Sequence, residues 1–351
     1  MNHLNFSRHD TNVGKGIGIL LMFAYHLFCF PDRIGSQHYL TVASVISNHY
    51  HNTLEYIIGD FGSTCVFIFL FLSGFGLWKS NFPIRKYEIK GHTLRILRFM
   101  AKYWLCFAIV IPIGLIFFRH TPRYEFHPRV FLMNFTGFGY SYSREWWFVN
   151  CYLLLLIAVP WIFRLLNKFP LPCVVCSFAI FAAIELSPDN LVPYLGQNLD
   201  HFLRWQFAFI LGSVFARFGF PPLPNFFFAL RPIQAMLLLI FIIGALVILR
   251  ELTRSAFLDI LIVPVFLFSS VTLLKLLKWD RVIAGIGRYS LYMWLTHTFF
   301  CYYYWPKLVF FPRFSLLVYG WLVLLSFVAS YLLSSLYNLM SRRIPKLSYL
   351  G

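Results

Sequence analysis

The chain is short of charge, and shortest of acids. Only 12% of its 351 residues are charged, and Asp and Glu together number 13. Soluble domains carry about 25% charged residues, so an ordinary soluble globular domain is excluded. The chain also lacks a long hydrophilic stretch. The longest pieces between apolar blocks, 32–55 and 119–144, are too short to fold as domains but long enough to cap a cavity. No cleavage site of the signal-peptide kind follows the first apolar block, so that block is expected to be retained. No internal repeat points to an inverted-repeat transporter. The seven cysteines are scattered through apolar segments. Cys173 and Cys176 form a CxxC, but FPLPCVVCSFAIFAAIEL places no charged neighbour beside them to activate a thiolate. They read as thiols in a membrane helix, not as a redox or metal site.

What is abundant is apolar and aromatic. Apolar residues make up 59% of the chain and aromatic ones 21%, with 42 Phe and 20 Tyr. The apolar residues fall in long blocks, which predicts an all-α, polytopic transmembrane helix bundle. Ten blocks qualify, near 14–31, 56–79, 95–118, 145–166, 170–187, 201–218, 231–250, 257–277, 288–305 and 314–338. An even count places both termini on one side. With a cytoplasmic N-terminus, 19 of the 30 Lys and Arg residues fall inside and 10 outside, and Lys102 lies within a span. That bias predicts cytoplasmic termini and a single membrane domain over 1–351. The net charge of +17 then reflects flanks of spans, so the expected partner is a lipid bilayer and not nucleic acid.

Ionisable residues inside spans are costly in lipid and mark function by default. GKGIGILLMFAYH, residues 14–26, carries Lys15 at its start and His26 eleven residues on. On a helix they stand roughly 16 Å apart. Lys15 reads as an anion contact or a snorkelling anchor, and His26 as an acid/base group or a packed core residue. RILR, residues 95–98, puts Arg95 and Arg98 on one face at the start of the third block, with Lys86 and Lys90 before them. Paired guanidinium groups suit phosphate; the plainer alternative is a topology anchor. Lys102, about two turns into the span beside Tyr103, needs a partner or a polar cavity. FLFLSGFG, residues 69–76, places Ser73, Gly74 and Gly76 where helices could pack closely or a ligand could fit. REWWFVNCY, residues 144–152, offers Glu145 with Trp146 and Trp147, an interfacial belt or a surface for stacking carbohydrate. GRYSLYMWLTH, residues 287–297, ends on His297 in mid-span. His201 with Arg204 is a weaker candidate.

Taken in order, GKGIGILLMFAYH, FLFLSGFG, RILRFMAKY and GRYSLYMWLTH resemble the motifs of the integral membrane acyltransferase-3 family. The position of Lys15 is more often Arg in that family. The resemblance implies an enzyme moving an acyl group, most often acetyl, from cytoplasmic acyl-CoA to a hydroxyl of a cell-envelope glycan or glycolipid. Many members carry a soluble esterase-like domain after the last span, and none is expected here. The implied base is His26. Lys15, Arg95, Arg98, Lys102 and Tyr103 are the implied contacts of acetyl-CoA, and Glu145, Trp146, Trp147 and His297 those of the acceptor. No metal is implied, and the expected location is the plasma or inner membrane. A multi-pass transporter or flippase for a polar envelope precursor is the competing expectation. The asymmetric basic cluster, with Asp60 the clearest acid inside a span, argues against it.

Overall fold

In the computed structural model the polypeptide is all-α, and no strand occurs among the described residues. The structure describes residues 6–34, 37, 39–41, 53–81, 89–187, 196–220 and 230–343. Arg85 and Lys86 of the basic stretch, and much of the segment 32–55, lie outside them.

The long helices are α1 (Arg8–Phe28), α3 (Cys65–Asn81), α4 (Ile89–Phe117), α6 (Trp147–Lys168), α7 (Pro170–Leu186), α8 (Gln197–Phe218), α9 (Pro232–Thr253), α10 (Ala256–Leu276) and α14 (Ser315–Arg343). Shorter ones are α2 (Leu54–Phe61), α5 (Pro128–Phe135), α11 (Asp280–Arg288), α12 (Ser290–Thr298) and α13 (Pro306–Phe310). Each of the ten apolar blocks is helical along most of its length. Among the described residues, six helical stretches are long and apolar enough to cross a bilayer, and Pro170–Leu186 is a shorter apolar one. The loop at 119–144, expected to be a cap, contains α5. It is tied down by Tyr103, whose hydroxyl donates to the Asn134 carbonyl at 2.5 Å.

Helix α1 is the axis of the bundle. It starts where Ser7 caps it: the Ser7 Oγ accepts the Asp10 N–H at 3.2 Å, and the Asp10 carboxylate accepts the Ser7 N–H at 2.9 Å. Beyond the cap no charge other than Lys15 interrupts the helix before His26. Its faces meet α2, α3, α10, α11, α12 and α14. Close approach is possible because of glycine. A Cβ at Gly16 would strike the Ile283 carbonyl of α11, and one at Gly287 would strike the Asn12 carbonyl of α1. The crossing of α3 with α8 is built in the same way: Gly74 lies against the Phe209 carbonyl and Gly212 against the Phe71 carbonyl. In lipid, where apolar side chains gain little from leaving the solvent, such backbone-level van der Waals contact supplies much of the association.

Burial is uneven. In the stretch Leu54–Ser80, 72% of the most apolar window is buried, against 11% in Pro232–Thr253. Helix α9 is thus peripheral, packed on α10 and α2 with its remaining surface suited to lipid.

Candidate active site

Every long helix except α14 contributes to one cavity of about 680 Å³ along the inside of the bundle. At the end nearest the start of α1 it is lined by Lys15, Arg95, Arg98 and Lys102. Lys15 comes from the second turn of α1, and the others from the first half of α4. Arg95 and Arg98 are half-buried, and Arg95 also donates to the Ser80 hydroxyl at 3.4 Å. Lys102 has its ammonium 5.4 Å from the centre of the Tyr337 ring, a cation–π contact. It is also near enough to Lys15 for the two charges to repel.

Further along the same cavity, about 16 Å up α1 from Lys15 at helical rise, lies His26. It is 9% exposed, and its Nδ1 has no hydrogen-bond partner among the described residues. The His297 ring stands 5.0 Å away, centre to centre, tilted by 44°. His297 does not line the cavity; it is fully buried and stacks on Phe23 at 5.0 Å. Its Nδ1 lies 2.7 Å from the Trp294 carbonyl. A carbonyl only accepts, so Nδ1 carries the hydrogen, and the neutral ring presents Nε2 as a lone pair. That Nε2 is buried and without a partner.

The chain after α12 continues as a π-helical turn, Phe299–Tyr303. Turns of this kind recur at functional sites because the extra residue re-aims the side chains. Here Tyr302 donates its hydroxyl to the His26 carbonyl, and Tyr303 donates to the Glu145 carboxylate at 2.9 Å. Glu145, 5% exposed, also accepts from Arg33 at 2.6 Å. Arg33 in turn lies 4.3 Å from the Phe30 ring centre. Glu145 and Trp147 line the cavity.

The expected donor residues are therefore brought together with one exception. Tyr103 is wholly buried outside the cavity, its hydroxyl held by Asn134 and its ring edge-on to Trp146 at 5.2 Å. Trp146 is likewise a core residue, donating its indole N–H to the Leu295 carbonyl at 3.1 Å. It packs the bundle instead of facing a ligand. Trp147 is the tryptophan that faces the cavity. Sequence reasoning did not single out Arg33, Tyr302, Tyr303, Glu185, Trp205, Arg250 or Asp259, which surround the His26 end. The acids among them sit inside or beside apolar helices, and that cost in lipid was the available signal.

No group of three or more metal-ligating side chains is present among the described residues. No curated protein and no protein of known structure matches the chain significantly. The sequence profile described as an acyltransferase domain matches residues 8–335, nearly the whole chain, and the chain belongs to this acyltransferase-3 family of membrane proteins.

Proposed function

We propose that this membrane acyltransferase carries an acetyl group from cytoplasmic acetyl-CoA to a hydroxyl of an envelope glycan or glycolipid, with His26 as general base. The observation that carries the reading is the single cavity joining four cations at one end to His26 toward the other. The donor has several phosphates at one end of a long thin arm and a thioester at the other. Lys15, Arg95, Arg98 and Lys102 match the phosphates in sign, and the distance to His26 matches a pantetheine-length arm. Both termini, and the basic mouth with them, are then cytoplasmic, in a plasma or inner membrane.

In the reaction, His26 takes the proton from the acceptor hydroxyl as its oxygen attacks the thioester carbonyl carbon. The carbon–sulfur bond breaks, and the CoA thiolate leaves and receives the proton from the imidazolium. His297 and Tyr302 are positioning residues. The tilted His297 ring, 5.0 Å from that of His26, and the Tyr302 hydroxyl on the His26 backbone carbonyl hold the catalytic imidazole against the cavity. Among the described residues the carboxylates of the wall are all engaged, Glu145 by Arg33 and Tyr303, Glu185 by Arg204 and Asp259 by Arg250.

The test is transfer of label from [acetyl]-CoA to envelope glycans by the purified protein in lipid nanodiscs. Transfer that requires His26 supports the proposal. Transport of a glycan without acyl transfer would favour the flippase reading instead.

A further inference from the structure

The wall of the cavity beyond His26 differs in kind from the donor end. Two arginines reach it, and each is held by acids. Arg204 of α8 meets Glu185 of α7 at 2.5 Å and Asp200 at 3.4 Å. Arg250 of α9 meets Asp60 of α2 at 2.6 Å and Asp259 of α10 at 3.5 Å, and donates to Ser63 at 3.0 Å. Glu185, Arg204, Arg250 and Asp259 all line the cavity. So do Trp147 and Trp205, both half-buried, whose rings lie 6.4 Å apart at 31°.

Each arginine is held by an acid on another helix, Arg204 by Glu185 and Arg250 by Asp60 and Asp259, which fixes it in place. Each carboxylate oxygen still has lone pairs beyond those its arginine uses, because an ionised carboxylate can accept about four hydrogen bonds. Asp259 Oδ1 and Arg250 Nε are buried with no hydrogen bond of good geometry. The wall therefore presents fixed acceptors and donors side by side, with the cations already neutralised, next to two flat aromatic faces. A phosphate or a uronate would meet four carboxylates around two arginines, an unfavourable field for an anion. A neutral polyol meets matched donors and acceptors for its hydroxyls, and its C–H face fits an indole.

We infer that this chamber is the acceptor subsite and that it selects an uncharged saccharide ring. Trp205 and Trp147 carry the apolar face of the ring, while the Glu185–Arg204 and Asp259–Arg250 pairs bind its hydroxyls. The inference rests on the acyltransfer reading and names the chemistry of its acceptor. It also separates the two substrates in space: the polyanion meets the cluster of four cations, and the neutral sugar meets arginines already paired with acids.

The experiment measures acetyl transfer by the full-length protein in nanodiscs to neutral oligosaccharides, and to uronate-containing and phosphorylated ones at matched concentration. It is repeated with Trp205→Ala, Trp205→Phe and Glu185→Gln. Neutral acceptors should be preferred. Trp205→Ala and Glu185→Gln should each raise the acceptor KM about tenfold or more, the scale of one lost charged hydrogen bond. The donor KM should stay unchanged, and Trp205→Phe, which keeps an aromatic face and guards against misfolding, should restore most of the acceptor affinity. Preference for anionic acceptors, or an unchanged acceptor KM in both the Trp205→Ala and Glu185→Gln proteins, would overturn the subsite while leaving His26-dependent transfer standing. Failure of the unmodified protein to transfer acetyl to any glycan removes the acyltransfer reading and the subsite together.

Discussion

The two ends of the cavity are built from the same cations and behave as opposites. At one end the cavity wall carries four cations, Lys15, Arg95, Arg98 and Lys102. At the other, Arg204 and Arg250 face it with Glu185 and Asp259, and Arg33 is bound to Glu145. An ammonium or guanidinium in a low-dielectric interior is expensive, so a wall carrying four cations favours an anion. The second end is complete already and can only offer hydrogen bonds. The lesson is that the number of basic residues says little about a membrane site; what matters is whether acids have been folded against them.

The comparison is most exposed at its midpoint. His26→Ala should lower acyl transfer by about 10²–10⁴-fold, the scale of a positioned acid/base group. Donor binding and folding should survive, because the charged ends are untouched. Single-turnover transfer measured beside CoA binding checks this, and near-normal turnover by a folded variant would move the base elsewhere.

Next in size is the basic end. Arg95→Ala and Arg98→Ala should each weaken acyl-CoA binding by about 1–3 kcal/mol if a charged hydrogen bond to phosphate is lost. Acceptor KM should not move. Lys15→Arg should keep most activity, since charge and reach remain. Isothermal titration with CoA reads all three, and equal loss of donor and acceptor affinity would erase the distinction between the ends.

At the compensated end, Glu145→Gln keeps a hydrogen-bond acceptor for Tyr303 but leaves Arg33 without its counter-charge. The expected cost is about 1 kcal/mol of stability, since Arg33 is partly solvated. A thermal melt in nanodiscs should shift while CoA affinity stays constant. A shift in CoA affinity would show that the ends communicate electrostatically.

The smallest effect lies outside the cavity. His9 Nε2 and the Asp280 carboxylate, 2.7 Å apart, join the starts of α1 and α11. The hydrogen bond from His9 holds the Asp280 carboxyl below the ordinary carboxylate range. A depressed native value means that the pair adds stability above the unfolded carboxylate value, about 3.9, and loses it as pH falls through the native one. Because both groups are solvated, Asp280→Asn should flatten only a slight decline in melting temperature below about pH 4.

Much of the basic end of the cavity was legible in the sequence. Lys15 and His26 share one unbroken helix, so their separation follows from helical rise alone. Arg95, Arg98 and Lys102 share one helix as well, and their spacing at i, i+3 and i+7 puts them on one face. Trp146 and Trp147 show the limit. They are adjacent on the chain, yet one is buried against Tyr103 and the other opens to the cavity. Adjacent positions on a helix point about 100° apart, and only the neighbours decide which of the two faces is buried. Tyr103 turns into the core and not into the cavity for the same reason.

By itself the sequence determined an all-α membrane bundle, the axial helix with its cation and imidazole, and the family. These depend on composition and on residues within a few turns of one another. The tertiary structure alone decided that the His297 ring packs at a tilt against His26, that the π-helical turn delivers Tyr302 and Tyr303, and that Arg250 meets acids 190 residues before it and 9 after it. Such pairings join helices distant in sequence. They are set by glycine-mediated crossings that bring backbones together, and no local periodicity in the chain encodes which charge will face which.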